Sequence, residues 1–197
     1  MNVPICLASA SPRRHELLAQ LGIDCELCAA EVDESVLPGE TAADYVRRLS
    51  FDKARAVVRQ PGCRSAALVL AADTAVVVDG EILGKPRGEQ DAVATLLRLG
   101  GRSHEVLTGV AVTDGTRELA ALSRSVVRFR QISVSEAHAY WRTGEPADKA
   151  GAYAIQGLGT IFVQQLQGSY SGVMGLPLFE TAQLLQTFGY DLLEVDG

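Results

Sequence analysis

Residues 66–72 read Ala-Ala-Leu-Val-Leu-Ala-Ala and stop at Asp73. A strand with no polar face belongs inside a sheet, covered on both sides. This segment therefore predicts a layered chain with helices around a central strand. The remaining pattern supplies them. Residues 3–8 read as a short buried strand. A helix follows from Arg13 to about Leu21, with Ser11 as N-cap, Pro12 in its first turn and Gly22 at its end. A strand at 25–29 and an acidic loop precede a second helix, which opens on the capping-box-like Thr41-Ala-Ala-Asp44 and stops at Pro61-Gly62. After Asp73, residues 76–78, Asp79-Gly80 and Ile82-Leu83 signal a hairpin. Residues 89–99 read as a helix closed by Gly100-Gly101, and 106–113 with 119–129 as a longer hairpin around Asp114-Gly115-Thr116. Ser133-Val-Ser-Glu136 opens a helix to about Arg142. Residues 151–175 read as glycine-punctuated loop and strand, 178–188 as the last helix, and 192–195 as a short final strand. This order predicts one α/β domain over residues 1–197, a central mixed sheet flanked by helices. A bilobed shape with a cleft between helical layers fits the same pattern.

Composition removes several function classes. Hydrophobic residues make up 47% of the 197 and charged residues 21%, which excludes a disordered chain. The net charge of −6 leaves no broad basic face for nucleic acid or an anionic membrane. No apolar run reaches the ~18 residues of a membrane span. The arginines near the N-terminus follow its apolar stretch, the wrong order for a secretory signal, so a cytoplasmic protein is expected. Of the 18 cations only three are lysines, at 53, 85 and 149, so an argument that needs a lysine has few places to look. Cys25-Glu-Leu-Cys28 has the CxxC form, but residues three apart on a strand point to opposite faces. A second pair with zinc-site spacing is missing, so free thiols are expected at Cys6, Cys25, Cys28 and Cys63. His15, His104 and His138 share no metal-ligand spacing.

Three features converge on phosphate. In Ser9-Ala-Ser11-Pro12-Arg13-Arg14, a strand, a small-residue turn and a helix start bring free amides and the positive dipole end to one point, with two forked cations beside them. Asp73 ends an apolar run, where a carboxylate needs partners and where open α/β sheets bind ligands; it can hold Mg²⁺ or activate water. In Gly84-Lys85-Pro86, the proline biases Lys85 to an extended backbone and so fixes where the cation leaves the hairpin. Each feature alone has a plainer reading: a capped surface helix, a turn-capping aspartate, a solvated lysine. Asp33-Glu34 adds carboxylates that could face Asp73 across a metal, and Lys53 sits in the middle of the second helix.

Taken in order, Ser9-Ala-Ser-Pro-Arg13-Arg14, Ala72-Asp73-Thr74-Ala-Val, Gly84-Lys85-Pro86, Asp148-Lys-Ala-Gly-Ala-Tyr-Ala-Ile-Gln156-Gly and Val173-Met-Gly-Leu-Pro177 resemble the Maf family over essentially the whole chain. The resemblance implies a cytoplasmic nucleoside triphosphate pyrophosphatase with a fold like that of inosine-triphosphate pyrophosphatases. Such an enzyme is a homodimer and uses a divalent cation, Mg²⁺ or Mn²⁺. By the same resemblance, Asp73 matches the proton acceptor, and Ser9, Arg13, Arg14, Lys53 and Lys85 the phosphate-side residues. Glu34 matches an acidic loop residue, a metal ligand together with Asp73. Arg13, Thr74 and Gln156 match positions linked to base selection. Thr74 and Gln156 resemble the branch acting on dTTP and UTP, whereas the 7-methyl-GTP branch has Gln and Glu at those places. The residues before Lys53, Phe51-Asp52, depart from the usual pattern. A competing reading is a non-enzymatic nucleotide- or DNA-binding regulator of septum formation, which the net charge disfavours for DNA.

Overall fold

The computed structural model describes residues 3–29, 31–60 and 68–193. Seven strands among them form one mixed sheet. β1 (Ile5–Leu7) lies between two parallel neighbours, β2 (Cys25–Leu27) and β3 (Leu68–Val78). β3 folds back through Asp79-Gly80 onto β4 (Glu81–Leu83). Both turn residues have positive φ, 53° and 78°, as a two-residue primed turn requires. On its other edge β3 pairs antiparallel with β5 (Ser103–Thr113), which pairs with β6 (Glu118–Phe129), which pairs with the edge strand β7 (Val163–Gln167).

Helices cover both faces. α2 (Ala42–Val58) packs Val46, Ala54 and Val57 on one of them. The other carries α1 (Pro12–Gln20) and α6 (Leu178–Thr187) over its first half, and α3 (Glu89–Leu99) and α4 (Val134–Trp141) over its second. The alternation along β3 explains this. Val69, Ala71, Ala75 and Val77 join the clusters under α2, while Leu68, Leu70, Ala72, Val76 and Val78 join those on the opposite face. Each face is interrupted once, by Asp73 on the first and Thr74 on the second, so the core on each side is split in two.

The cleft opens at that interruption. β1 borders β3 along Leu68, Leu70 and the residue between them, and β4 borders the same edge along Val76, Val77 and Val78. Residues 71–75 of that edge fall outside either ladder, which leaves a notch in the sheet. α1 starts beside it, because Ala8 donates to the Leu70 carbonyl at 2.7 Å and the chain turns into α1 four residues later.

Several sequence expectations change. Asp73 does not end a strand: Thr74-Ala-Val-Val-Val continues the same period, so one strand of 11 residues runs through it. The 151–175 segment contains 3₁₀ turns, β7 and a short helix, α5 (Tyr170–Met174), whose N-cap Ser169 accepts from the Gly172 amide. Leu192 and Leu193 form a bend and no strand; the rest of the expected 192–195 strand lies outside the described residues. The second helix ends at Val58, and the expected Pro61-Gly62 stop also lies outside them. Cys6 and Cys25 are free thiols as expected, but Cys28 is disulfide-bonded; Cys63 is outside the described residues. The strand-face argument spoke only to a metal shared by Cys25 and Cys28, not to a disulfide. Among the described residues no helix is long and apolar enough to cross a membrane.

Candidate active site

A cleft of about 600 Å³ occupies the notch, within the size range of small-molecule sites. Ser9, Arg13, Arg14, Glu34, Lys53, Asp73, Thr74, Lys85 and Gln156 all line it; Asp33 does not, and its Oδ1 accepts from the Ser35 amide at 2.9 Å instead. All three lysines of the chain are there. Together with Arg13 and Arg14 they outnumber the lining carboxylates Glu34, Asp73 and Asp148, which gives a cationic pocket in an acidic chain.

The deepest part is a carboxylate–ammonium–carboxylate couple. Lys53 Nζ lies 2.6 Å from Asp73 Oδ1 and 2.6 Å from Glu34 Oε1. Lys53 and Asp73 are buried, which their mutual pairing makes tolerable. Burial works to raise the Glu34 pKa, but the hydrogen bond and charge of Lys53, with Lys85 and Arg14 farther off, hold it below the ordinary value. Helix spacing puts Lys53 there. It falls seven residues after Val46 and four before Val57, on the stripe of α2 that packs against the sheet. A lysine on an otherwise apolar stripe was the sequence signal for a buried partner.

A second network fixes the helix start. Arg14 Nε donates to the Gly175 carbonyl at 2.8 Å, Nη1 to Ser9 Oγ at 3.2 Å and Nη2 to Thr74 Oγ1 at 3.4 Å. Burial lowers the Arg14 pKa while Asp73 opposes the shift. Ser9 Oγ also accepts from the Ser11 amide at 3.1 Å, so its own proton is left to donate elsewhere. The direction of the next links is determined. Thr108 Oγ1 must donate to the Gly172 carbonyl (2.8 Å), which can only accept. Thr74 therefore donates to Thr108 (2.9 Å) and meets Arg14 as an acceptor. Its hydroxyl proton is committed inward, so Thr74 can meet a ligand only as an acceptor.

Arg13, one residue earlier, reaches across the opening to Asp148 at 3.9 Å, and Lys149 pairs with the same carboxylate. Lys85 and Gln156 are exposed at the mouth. Two residues entered the site without being anticipated. Tyr45 of α2 lines the cleft, and its hydroxyl donates to the Glu34 carbonyl at 3.0 Å. Burial and the charges of Asp73 and Glu34 push its pKa up to about 12. Asp148 had been noted only as part of a motif. Behind the cleft wall, His104 is buried against Phe129 and Tyr153 and shares a 2.9 Å hydrogen bond with the Tyr153 hydroxyl.

The described residues hold no group of three or more metal-binding side chains. The protein therefore offers two carboxylates, Glu34 and Asp73, which already face a common cation. A hard divalent ion is commonly held by one or two carboxylates plus substrate phosphates, so the donor set fits one.

Comparison with known proteins identifies the family. The family model described as Maf-like protein matches residues 4–188. A dTTP/UTP pyrophosphatase of Methylococcus capsulatus is 55% identical over 189 residues, covering 95% of this chain and 92% of that protein. A dTTP/UTP pyrophosphatase of Saccharophagus degradans is 52% identical over 188 residues, covering 95% and 90%. Among solved structures, the Staphylococcus aureus Ham1 protein is similar at 15% identity over 64% of this chain and 71% of that one, with a TM-score of 0.45. The match of the family model over nearly the whole length, with relatives more than half identical, leads to one assignment: the chain belongs to the Maf family.

Proposed function

We propose that this protein hydrolyses dTTP and UTP between the α- and β-phosphates, releasing the nucleoside monophosphate and pyrophosphate. The observation that carries this reading is the Glu34–Lys53–Asp73 couple set beside the Ser9–Arg14 helix start in one cleft. Relatives more than half identical that are named for this activity support it.

In the proposed reaction the triphosphate lies with its phosphates toward Ser9, Arg13 and Arg14, and Lys85 closes on them from the hairpin. Lys53 holds Asp73 Oδ1, which leaves Oδ2 for the attacking water. The water oxygen bonds to the α-phosphorus as its proton passes to Asp73. The bond from the α-phosphorus to the bridging oxygen breaks, and pyrophosphate leaves with the electron pair. The arginines and lysines stabilise the charge that grows on it, the dominant kind of contribution in phosphoryl transfer. Glu34 and Asp73, with phosphate oxygens, would hold Mg²⁺ or Mn²⁺, which would supply further neutralisation of the phosphates. Gln156 carries both a donor and an acceptor, matching the alternating edge of uracil and thymine, and Thr74 and Arg13 belong to the same base-selecting set. The reading also makes the protein a cytoplasmic dimer of identical subunits, which sedimentation would check.

The test is pyrophosphate release from a panel of triphosphates, 7-methyl-GTP included, with Mg²⁺ and Mn²⁺. Release from dTTP and UTP is expected, with a loss of about 10²–10³ in rate for Asp73→Asn. Preference for 7-methyl-GTP would overturn the base assignment. Nucleotide binding without release from any member would instead favour a regulator. Near-normal turnover in folded Asp73→Asn would remove Asp73 from its role.

A further inference from the structure

We infer that Tyr45 and Arg48 are positioning residues, which hold the Glu34 carboxylate at Lys53 by gripping the backbone of the loop that carries it. The inference rests on the role proposed above for Glu34. Residues 31–40 form no helix or strand, and the Glu34 side chain is 48% exposed. A carboxylate on such a segment reaches one defined point only if its backbone is fixed, because chain entropy otherwise spreads it over many. α2 supplies the fixing. The Tyr45 hydroxyl donates to the Glu34 carbonyl at 3.0 Å, and Arg48 Nη2 donates to the carbonyl of the next residue, Ser35, at 2.9 Å. Arg48 is itself held in a two-pronged pair with Glu40, Nε to Oε1 at 2.6 Å and Nη2 to Oε2 at 2.8 Å. Its guanidinium lies 5.7 Å from the Tyr45 ring centre. Glu40 also accepts from the Leu37 amide at 3.0 Å, which closes the loop on itself. Tyr45, Arg48 and Lys53 share one helix, so the loop and the ammonium it meets are referenced to the same rigid element.

A double-mutant cycle tests this with dTTP as substrate and Mg²⁺ or Mn²⁺ as activator. Tyr45→Phe keeps the ring and removes one neutral hydrogen bond. It should lower turnover about 3- to 10-fold and raise the cation concentration needed for half-activation. In the protein free of cation and nucleotide, it should also speed amide exchange at residues 33–37. In a Glu34→Gln background the same change should alter turnover by less than about twofold, because the group being positioned is gone. Arg48→Met, which cuts the second tether, should repeat the pattern independently. Equal losses in both backgrounds, or unchanged exchange at 33–37 in both variants, overturn the clamp and leave Glu34 in its role. Full turnover in Glu34→Gln overturns the role of Glu34, and the clamp with it.

Discussion

Gly109 stands directly opposite Asp73 in the β3–β5 ladder. Cross-strand partners share a face, so a side chain at 109 would project toward α2 beside the carboxylate. A Cβ there would lie 2.5 Å from the Val46 carbonyl oxygen, inside any tolerable contact. The missing side chain lets the α2 backbone rest on the sheet. That close approach brings Lys53, two helical turns further on, within reach of Asp73.

Gly109→Ala should therefore act on the site from beneath it. The clash is with backbone, which yields only if α2 lifts. Overpacking of this kind costs about 1–3 kcal/mol. A displacement of the couple by a fraction of an ångström should lower dTTP turnover on the order of 10- to 100-fold. Turnover and thermal melting measured side by side check this; unchanged turnover in the variant would mean that α2 tolerates the extra carbon.

Lys53→Met should cost both activity and stability. It leaves Asp73 and Glu34 facing each other with no cation between them, and removing one member of a buried pair costs about 3 kcal/mol. Turnover should fall about 10²-fold or more. In an Asp73→Asn background the stability cost should shrink, because no buried negative charge is left unpaired at that position. Urea unfolding of the four proteins reads this directly, and an undiminished cost would sink the explanation.

Stability should fall between about pH 7 and pH 5 through His104. Burial pushes its pKa down to about 4, below the ordinary 6.5 that it regains on unfolding. As pH drops, the unfolded chain takes up the proton first, so stability is whole above the unfolded value and is lost toward the folded one. The loss across those two pH units is about 2 kcal/mol. His104→Leu should flatten the profile in that window, at some cost in overall stability from the lost Tyr153 hydrogen bond. Equal slopes in the two proteins would show that another group is responsible.

Much of this was legible in the residues, and the omissions have physical causes. Pro12 at a helix start, the Ser133–Glu136 capping box and the Asp79-Gly80 turn are local chemistry, and each appears where local chemistry put it. Asp73 was misplaced to a strand end because a carboxylate interrupts an apolar run. The strand tolerates it only because Lys53, 20 residues away, meets it on the covered face. α5 was not anticipated: five residues that include a glycine carry little helical signal, and the helix is held instead by its Ser169 cap and by Thr108 against Gly172. Tyr45 carried no sequence signal as a site residue because a ring is mostly hydrophobic surface; its hydroxyl acts at the far end. Arg13, Arg14 and Lys85 were legible as a set, yet their meeting point depended on a notch created by where β1 ends and β4 begins.

Arg14 and Gly175 touch although 161 residues separate them in the chain. Synthesis runs from the N-terminus, so the helix start that lines the cleft leaves the ribosome long before the carbonyl that aims its arginine. Until Gly175 emerges, Arg14 lacks its Nε acceptor, and a chain released early would carry the cations of the pocket without their alignment. The pocket is thus aligned only by a segment made 161 residues after the helix start it holds.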